Sequence, residues 1–461
     1  MKIHTIVVFT LFLSGVLTSC GTSRAYEPVK VVPNALYRDI PLDSASIAQI
    51  TWQDFFSDVH LQELLELGLA RNLDLKIGLE RMHSASALLK QAKANFLPSV
   101  AVGAGMKQSR MSENQSFGQM KNATAYDLFA TMSWEVDVWG KLASSKRAAF
   151  YKLLQTNETQ QAVKTQLIAQ IADYYYQLVA LDRQQVILEQ TIENRAEDVK
   201  TMQRLKESSV VTGAAVVQSE ANYYAAQADL PNVKRQIRTI EHALQVLIDS
   251  SGAVIPRGNF DSQRIVQPIT VGLPVQLLAN RPDVKAAEME VASYFEEVHV
   301  ARRAFYPALT LTGGIGYSTY EFKQWFSTTG FFANIAGGLV QPLFNKRLNK
   351  TRLEIAKANY QEKVYHFEKA LLVAGQEVSD ALYNYQTANE QEEKRALQVE
   401  KLHLAVDYTK KLLLYHSSTN YTDVLTSEQA YLNAQIQQTK DWLLKWQSTI
   451  KLYRALGGGA K

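Results

Sequence analysis

The chain has 461 residues, 46% hydrophobic and 20% charged, which suffices for about two to three domain-sized units and excludes disorder over most of its length. Lysine plus arginine number 49 against 45 aspartates and glutamates, and this formal +4 is too near balance to suggest a nucleic-acid binder. A single cysteine, Cys20, excludes an internal disulfide framework and a cysteine-based zinc cluster.

At the N-terminus, Met1-Lys2 precedes the apolar run Ile6 to Leu17. A basic start followed by roughly 7–15 apolar residues is the pattern of a secretory signal peptide, too short to span a membrane, and it is predicted over residues 1–19. The run ends in Leu17-Thr18-Ser19-Cys20-Gly21, which resembles a bacterial lipobox, whose cysteine carries lipid as the first residue of the mature protein. The other reading, an ordinary buried cysteine, ignores the signal context. Each buried acyl CH₂ contributes about 0.8 kcal/mol, so stable anchoring takes more than one chain, and the lipobox resemblance implies several. No later stretch reaches 18 consecutive apolar residues, so no spanning helix is expected in the mature chain.

Pro28, Pro33 and Pro41 mark an extended arm within residues 20–57, and a helix is expected over 58–97. In residues 98–136, Val100, Val102, Ala104 and Met106 alternate with smaller or polar residues. Tyr126, Leu128, Ala130, Met132 and Trp134 alternate again beyond a polar loop that contains Ser109 to Asn122, and the whole reads as a hairpin. From Lys141 to Thr212 there is neither glycine nor proline, and a helix of that length would reach on the order of 100 Å. Leu167, Ile171, Tyr174, Leu178, Leu181, Leu188, Ile192, Val199 and Met202 follow spacings of three, four or seven, as do Val233, Ile237, Ile240, Leu244 and Leu247. Two long helices are therefore predicted over 137–249, with a kink at Pro231. Pro256, Pro268, Pro274 and Pro282 crowd a connector at 250–282.

The same order then returns: a helix over 283–306, a hairpin over 307–341, long helices over 342–456 and a tail at 457–461. The second hairpin carries Leu309, Leu311, Ile315 and Tyr317 before its loop and Phe331, Ala333, Ile335 and Leu339 after it. Leu343 to Leu456 holds no proline and one glycine, Gly375, and ends in the stripe Leu432, Ile436, Thr439, Leu443, Trp446, Ile450 and Tyr453. Any one stripe fits a plain helical core, but several on breaker-free tracts point to coiled coil. Shifting by 209 places Asp74, Lys76, Ala92, Phe96, Pro98 and Gly105 on Asp283, Lys285, Ala301, Phe305, Pro307 and Gly314, and a shift of 208 places Ser219, Glu220 and Tyr223 on Ser427, Glu428 and Tyr431. The chain is two copies of one unit.

Each strand segment is near the 9–11 residues of a tilted bilayer-crossing strand, with Trp134, Trp139, Tyr317, Phe331 and Phe332 near segment ends as in interface girdles. A soluble hairpin half-packed on a core fits the alternation as well. Four strands cannot close a barrel in lipid, where every backbone polar group needs a partner and single-chain barrels begin at about eight strands. If they span, several chains must each contribute four, with their helices continuing as a multi-chain cylinder: a conduit.

Leu273-Pro274-Val275-Gln276-Leu277-Leu278, Arg281-Pro282-Asp283-Val284 and Ala286-Ala287-Glu288 resemble the "LP..LL..RPD..AAE" signature of TolC-like outer-membrane factors of tripartite efflux pumps. Trp52, Phe55, Phe56 and Leu61, Phe305-Tyr306-Pro307, Gln341-Pro342-Leu343-Phe344 and Tyr453-Arg454-Ala455-Leu456-Gly457-Gly458-Gly459 extend the likeness over essentially the mature chain, and Cys20 points to the lipoprotein branch. The resemblance implies a mainly α fold with a β-barrel part: a homotrimer with a 12-stranded outer-membrane barrel, a long periplasmic α-barrel of coiled coils, and an equatorial belt. It implies passage of drugs or other small solutes from an inner-membrane RND-type transporter through a periplasmic adaptor. The adaptor would dock at the helical tips, here Lys206 to Gly213 with Ser208 and Ser209, and Tyr415 to Tyr421 with Ser417 and Ser418.

The sequence departs from its relatives at the expected periplasmic gate. Where lipoprotein relatives place an apolar and an acidic residue four apart, this chain has Thr422 and Thr426, so a gate of hydroxyl contacts and Val424 packing is expected in place of a carboxylate ring. Phe344-Asn345-Lys346-Arg347 also replaces the usual "FDGG". No cofactor, metal or enzymatic activity is expected: the eight histidines lack paired ligand spacing, and Gly313-Gly314-Ile315-Gly316 lacks the lysine of a phosphate loop and sits in a strand pattern. An outer-membrane conduit for type I protein secretion, a non-conducting envelope scaffold and, more distantly, an exported enzyme remain as alternatives.

Overall fold

The computed structural model describes residues 26–28, 46–110, 122–252, 254–265, 271, 279–415 and 421–460. Among the described residues, seven helices of more than ten residues and four strands stand in chain order: α1 (Val59–Arg71), α2 (Leu73–Ala94), β1 (Ser99–Arg110), β2 (Asn122–Val136), α3 (Lys141–Glu207), α4 (Gly213–Leu247), α5 (Pro282–Arg303), β3 (Ala308–Thr319), β4 (Phe331–Val340), α6 (Leu348–Tyr415) and α7 (Tyr421–Ala455). The internal repeat is visible in the element bounds. Both ends of α2 and α5, and of β1 and β3, lie 209 residues apart, and both ends of α4 and α7 lie 208 apart. The fold class is the mainly α one expected, with four strands per chain. Helix α4 runs on through Pro231.

Two compact units are present. The first holds residues 82–156 and 287–367 and contains the sheet. Its four strands are antiparallel in the order β1-β2-β3-β4, so among the described residues β1 and β4 are free edges. Below the sheet, Trp134 donates through Nε1 to the carbonyl of Phe96 at 2.9 Å, and Trp139 donates to that of Pro307 at 2.7 Å. The Asp137 carboxylate accepts from the amides of Leu142 and Ala143, satisfying two of the unpaired N–H groups at the start of α3. The buried Glu296 of α5 accepts from Arg147 Nε at 2.7 Å and Nη2 at 2.9 Å and from the Ser144 hydroxyl at 2.8 Å. Arg303 donates to the carbonyl of Gly140 at 2.7 Å and to Ser144. The hydrogen bond to Glu296 holds the Arg147 guanidinium above its ordinary range.

The second unit holds the remaining helical parts and the connector. Helix α1 starts because Asp58 accepts from the amides of His60 and Leu61, and it buries Leu61, Leu64, Leu65 and Gly68 at helical spacing. Asn72 ends it and begins α2, so the single helix expected over 58–97 is two; its side chain donates to the carbonyl of Leu247 at 2.9 Å and accepts from the Leu75 amide at 3.1 Å. The core is aromatic: Tyr176 stacks on Trp446 with centroids 4.0 Å apart, and Phe55 on Tyr453 at 4.1 Å. The Arg-Pro-Asp motif has a structural role, since the buried Arg281 pairs with Asp283 at 2.6 Å and Glu377 at 2.8 Å and donates to the carbonyl of Ala455 at 3.0 Å. Gly457 follows at φ +93°, where a side chain would strike the carbonyl of Asn280.

Candidate functional site

Register assigns each strand residue to a face, because residues directly opposite in a ladder share one. Val102 pairs with Ala130, Ala130 with Ile315 and Ile315 with Ala333. Continuing in steps of two, one face carries Val100, Met106, Leu128, Met132, Leu311 and Ile335 among its members, and it ends in Tyr126, Tyr317 and Phe331 toward the loops and Trp134 toward the helices. The other face carries Ser99, Lys107, Asp127, Thr131, Ser133, Thr312 and Asn334. The apolar face is uncovered, with Val102 77% exposed, Ile335 78% and Met106 68%, and much of the polar face is exposed as well.

A soluble sheet buries such a face against a second layer; this one has its polar face turned the other way, and no helix among the described residues is long and apolar enough to cross a membrane. A 12-residue strand extends about 40 Å, and a tilt of about 40° leaves roughly the 30 Å of a hydrocarbon core. The segment Gly313-Gly314-Ile315-Gly316 lies inside β3, so it is not a phosphate loop. At the loop end, Phe322, Trp325 and Phe326 gather over Tyr126 and Tyr317 with centroids 5.3–6.0 Å apart, a girdle that the alternation alone did not reveal.

The second functional region is the turn from α3 into α4 with the start of α7. Val210 donates its amide to the carbonyl of Leu205 at 2.8 Å and Ser209 to that of Lys206 at 2.9 Å, with Ser209 at φ 61°. This is a Schellman motif in which serine occupies the left-handed position usually given to glycine. Ser208 and Ser209 are exposed in this turn. Ser417 and Ser418, like Cys20 and the residues Leu273 to Leu278, lie outside the described residues. Met202, Val216, Tyr421 and Val424 form a buried cluster, with Leu205, Val211 and Leu413 against it, which binds the first helical pair to the second. Thr422 and Thr426 are exposed one turn apart on α7, and the Thr426 hydroxyl donates to the carbonyl of Thr422 at 2.8 Å.

One layer further from the turn, Lys410 bridges Asp198 at 3.1 Å and Glu428 at 2.6 Å, and Arg195 donates to the carbonyl of Asn222 and to Gln429. Burial, then the neighbouring Asp198, pushes the Glu428 carboxyl up, because two carboxylates share one ammonium. Sequence reasoning missed this cluster. Its one visible signal was Ser427-Glu428 repeating Ser219-Glu220, while Lys410 has Met202 as its counterpart in the first copy. Among the described residues no group of three or more metal-ligating side chains converges.

Residues 64–249 and 273–458 each match the family model described as outer membrane efflux protein, one match per repeat. The pyoverdine export outer membrane protein OpmQ of Pseudomonas putida is 28% identical over 415 residues, covering 88% of each chain. The cation efflux system protein CusC of Escherichia coli is 27% identical over 456 residues, covering 96% of each. Among solved structures, the open state of the Neisseria gonorrhoeae MtrE outer membrane channel superposes with a TM-score of 0.85 at 24% identity, covering 95% of this chain and 98% of that one.

Proposed function

The chain belongs to the outer membrane efflux protein family, and we propose that three copies, four strands each, close a 12-stranded barrel with the uncovered apolar face against lipid. It is an outer-membrane channel of an efflux system, in a family of channels rather than enzymes. Channels of this family are trimers that work with periplasmic adaptors and inner-membrane pumps. The observation that carries the reading is the sheet itself: an apolar face turned outward, a polar face turned away, and two unpaired edges that lipid would leave unsatisfied. Closure by neighbours satisfies both edges and leaves the polar face around water.

In this reading the channel supplies a path and no energy. An inner-membrane RND-type transporter, reached through a periplasmic adaptor, loads drugs or other small solutes at the helical end. The exposed Ser208 and Ser209, with Ser417 and Ser418, form the adaptor-docking tips, and the exposed Thr422 and Thr426 form the entrance ring backed by the buried Val424. Cys20 carries the lipid that holds the N-terminus at the membrane, and Cys20→Ala is expected to abolish palmitate labelling. Native mass spectrometry and planar-bilayer recording of purified protein test the whole. A threefold species with ion conductance is expected; a lone subunit without conductance overturns the reading.

A further inference from the structure

On the polar face the register aligns Gly103, Phe129, Gly316 and Phe332 in one row across all four strands. Phe129 and Phe332 are the only aromatic residues of that face among the described strand residues, and both are half-buried although the apolar face is the opposite one. Gly103 gives the Phe129 ring room, and Gly316 lets β3 approach the β2 backbone closely. A Cβ at position 103 would stand 2.7 Å from Cζ of Phe129, so that ring lies down over β1, and a side chain at 316 would collide with the β2 backbone. Both phenylalanines line a cavity of about 400 Å³ whose remaining wall mixes the polar Thr131, Ser133, Thr312 and Asn334 with Ala101 and Met132. The charge next to Phe129 along this face is Asp127, which accepts from the Ser318 hydroxyl at 2.6 Å, while Lys107 stands one pair further toward the loops.

An apolar-bodied solute gains contact with two rings here, and aromatic faces with hydroxyl and amide oxygens and a nearby carboxylate favour positive charge. We propose that Phe129 and Phe332 form a binding station for lipophilic organic cations inside the barrel, one per subunit, at which such solutes pause on the way out. The inference rests on the channel reading, because only closure by neighbouring copies turns this face into a lumen.

The test is planar-bilayer recording of the full protein with tetraphenylphosphonium as cation and tetraphenylborate as an anion of the same shape. The cation is expected to reduce the potassium chloride current saturably, and the double variant Phe129→Ser, Phe332→Ser to weaken that block by about tenfold or more while conductance stays within about twofold. The anion is expected to block about tenfold more weakly in the wild type. Phe129→Leu with Phe332→Leu keeps the bulk and removes the π faces, so it should assemble even where the serine variant does not, and lose the preference for the cation. An unchanged block constant in the double variants, or equal block by both ions, overturns the station while the channel stands. A wild-type protein that conducts no potassium chloride removes the channel reading, and the station with it.

Discussion

Adjacent residues on β4 provide the sharpest test of which face meets lipid. Ile335 lies on the apolar face opposite Gly313, and Ala336 lies on the polar face opposite Thr312. Ile335 is 78% exposed within its chain, so replacing it removes almost no packing from the subunit itself. In a soluble protein, Ile335→Lys would therefore fall within about 0.5 kcal/mol of neutral. Against lipid near the middle of the bilayer the same change costs about 2–4 kcal/mol per chain, hence about 6–12 kcal/mol for a threefold assembly. Ala336→Lys, one residue away, projects into water and should cost about 0–1 kcal/mol. The assay is refolding into lipid vesicles, with the urea midpoint and the fraction of heat-resistant oligomer read for both variants. Equal effects from the two substitutions, or the larger effect from Ala336→Lys, would refute the assignment of faces.

Glu296→Ala leaves Arg147 without its carboxylate partner and the Ser144 hydroxyl without its acceptor. As the Arg147 side chain is 35% exposed, the loss should sit near the low end for broken buried pairs, about 3 kcal/mol in denaturant, with Glu296→Gln losing less. The Glu428 carboxyl titrates above its ordinary value of 4.5, so the folded state holds that proton more tightly than the unfolded chain does. Its stabilising contribution is complete below about pH 4.5 and is lost as pH rises through the raised value. Amide exchange near residues 195–202 and 424–429 should therefore quicken, beyond the intrinsic rate, as pH rises toward neutrality, and Glu428→Gln should flatten the dependence. Ser209→Gly relieves roughly 1 kcal/mol of left-handed strain, partly offset in the unfolded chain, whereas Ser209→Val adds to it. Protease cleavage at residues 208–212 should slow in the first variant and quicken in the second. Thr422→Ala with Thr426→Ala should change the conductance of the reconstituted trimer, and unchanged conductance would remove these threonines from the gate.

Much of the fold was legible because it is written in local periods. Alternation marked four strands, and the absence of glycine and proline over Lys141 to Thr212 foretold helix α3, which runs Lys141–Glu207. The aromatic collar of Phe322, Trp325 and Phe326 escaped notice because its residues fall in a loop, where no period applies. The Lys410 cluster escaped for another reason: Asp198 and Lys410 are 212 residues apart, and neither has a marked neighbourhood in sequence. Thr422 and Thr426 came from resemblance alone; the structure adds that both are exposed and that one hydroxyl is already bonded to its own helix.

By itself the sequence determined which residues of each strand share a face, where the long breaker-free helices run and that the chain is one unit written twice. These follow from backbone geometry, in which side chains recur every two residues in a strand and about every 3.6 in a helix whatever lies beyond. Only the tertiary structure decided that β2 pairs with β3 across the repeats, with Ala130 opposite Ile315, and that Phe129 therefore shares a row with Phe332. Slipping that pairing by one residue would keep every local pattern and turn the apolar face of one hairpin toward the polar face of the other. The register rests on packing between residues some two hundred positions apart, and no local period carries it.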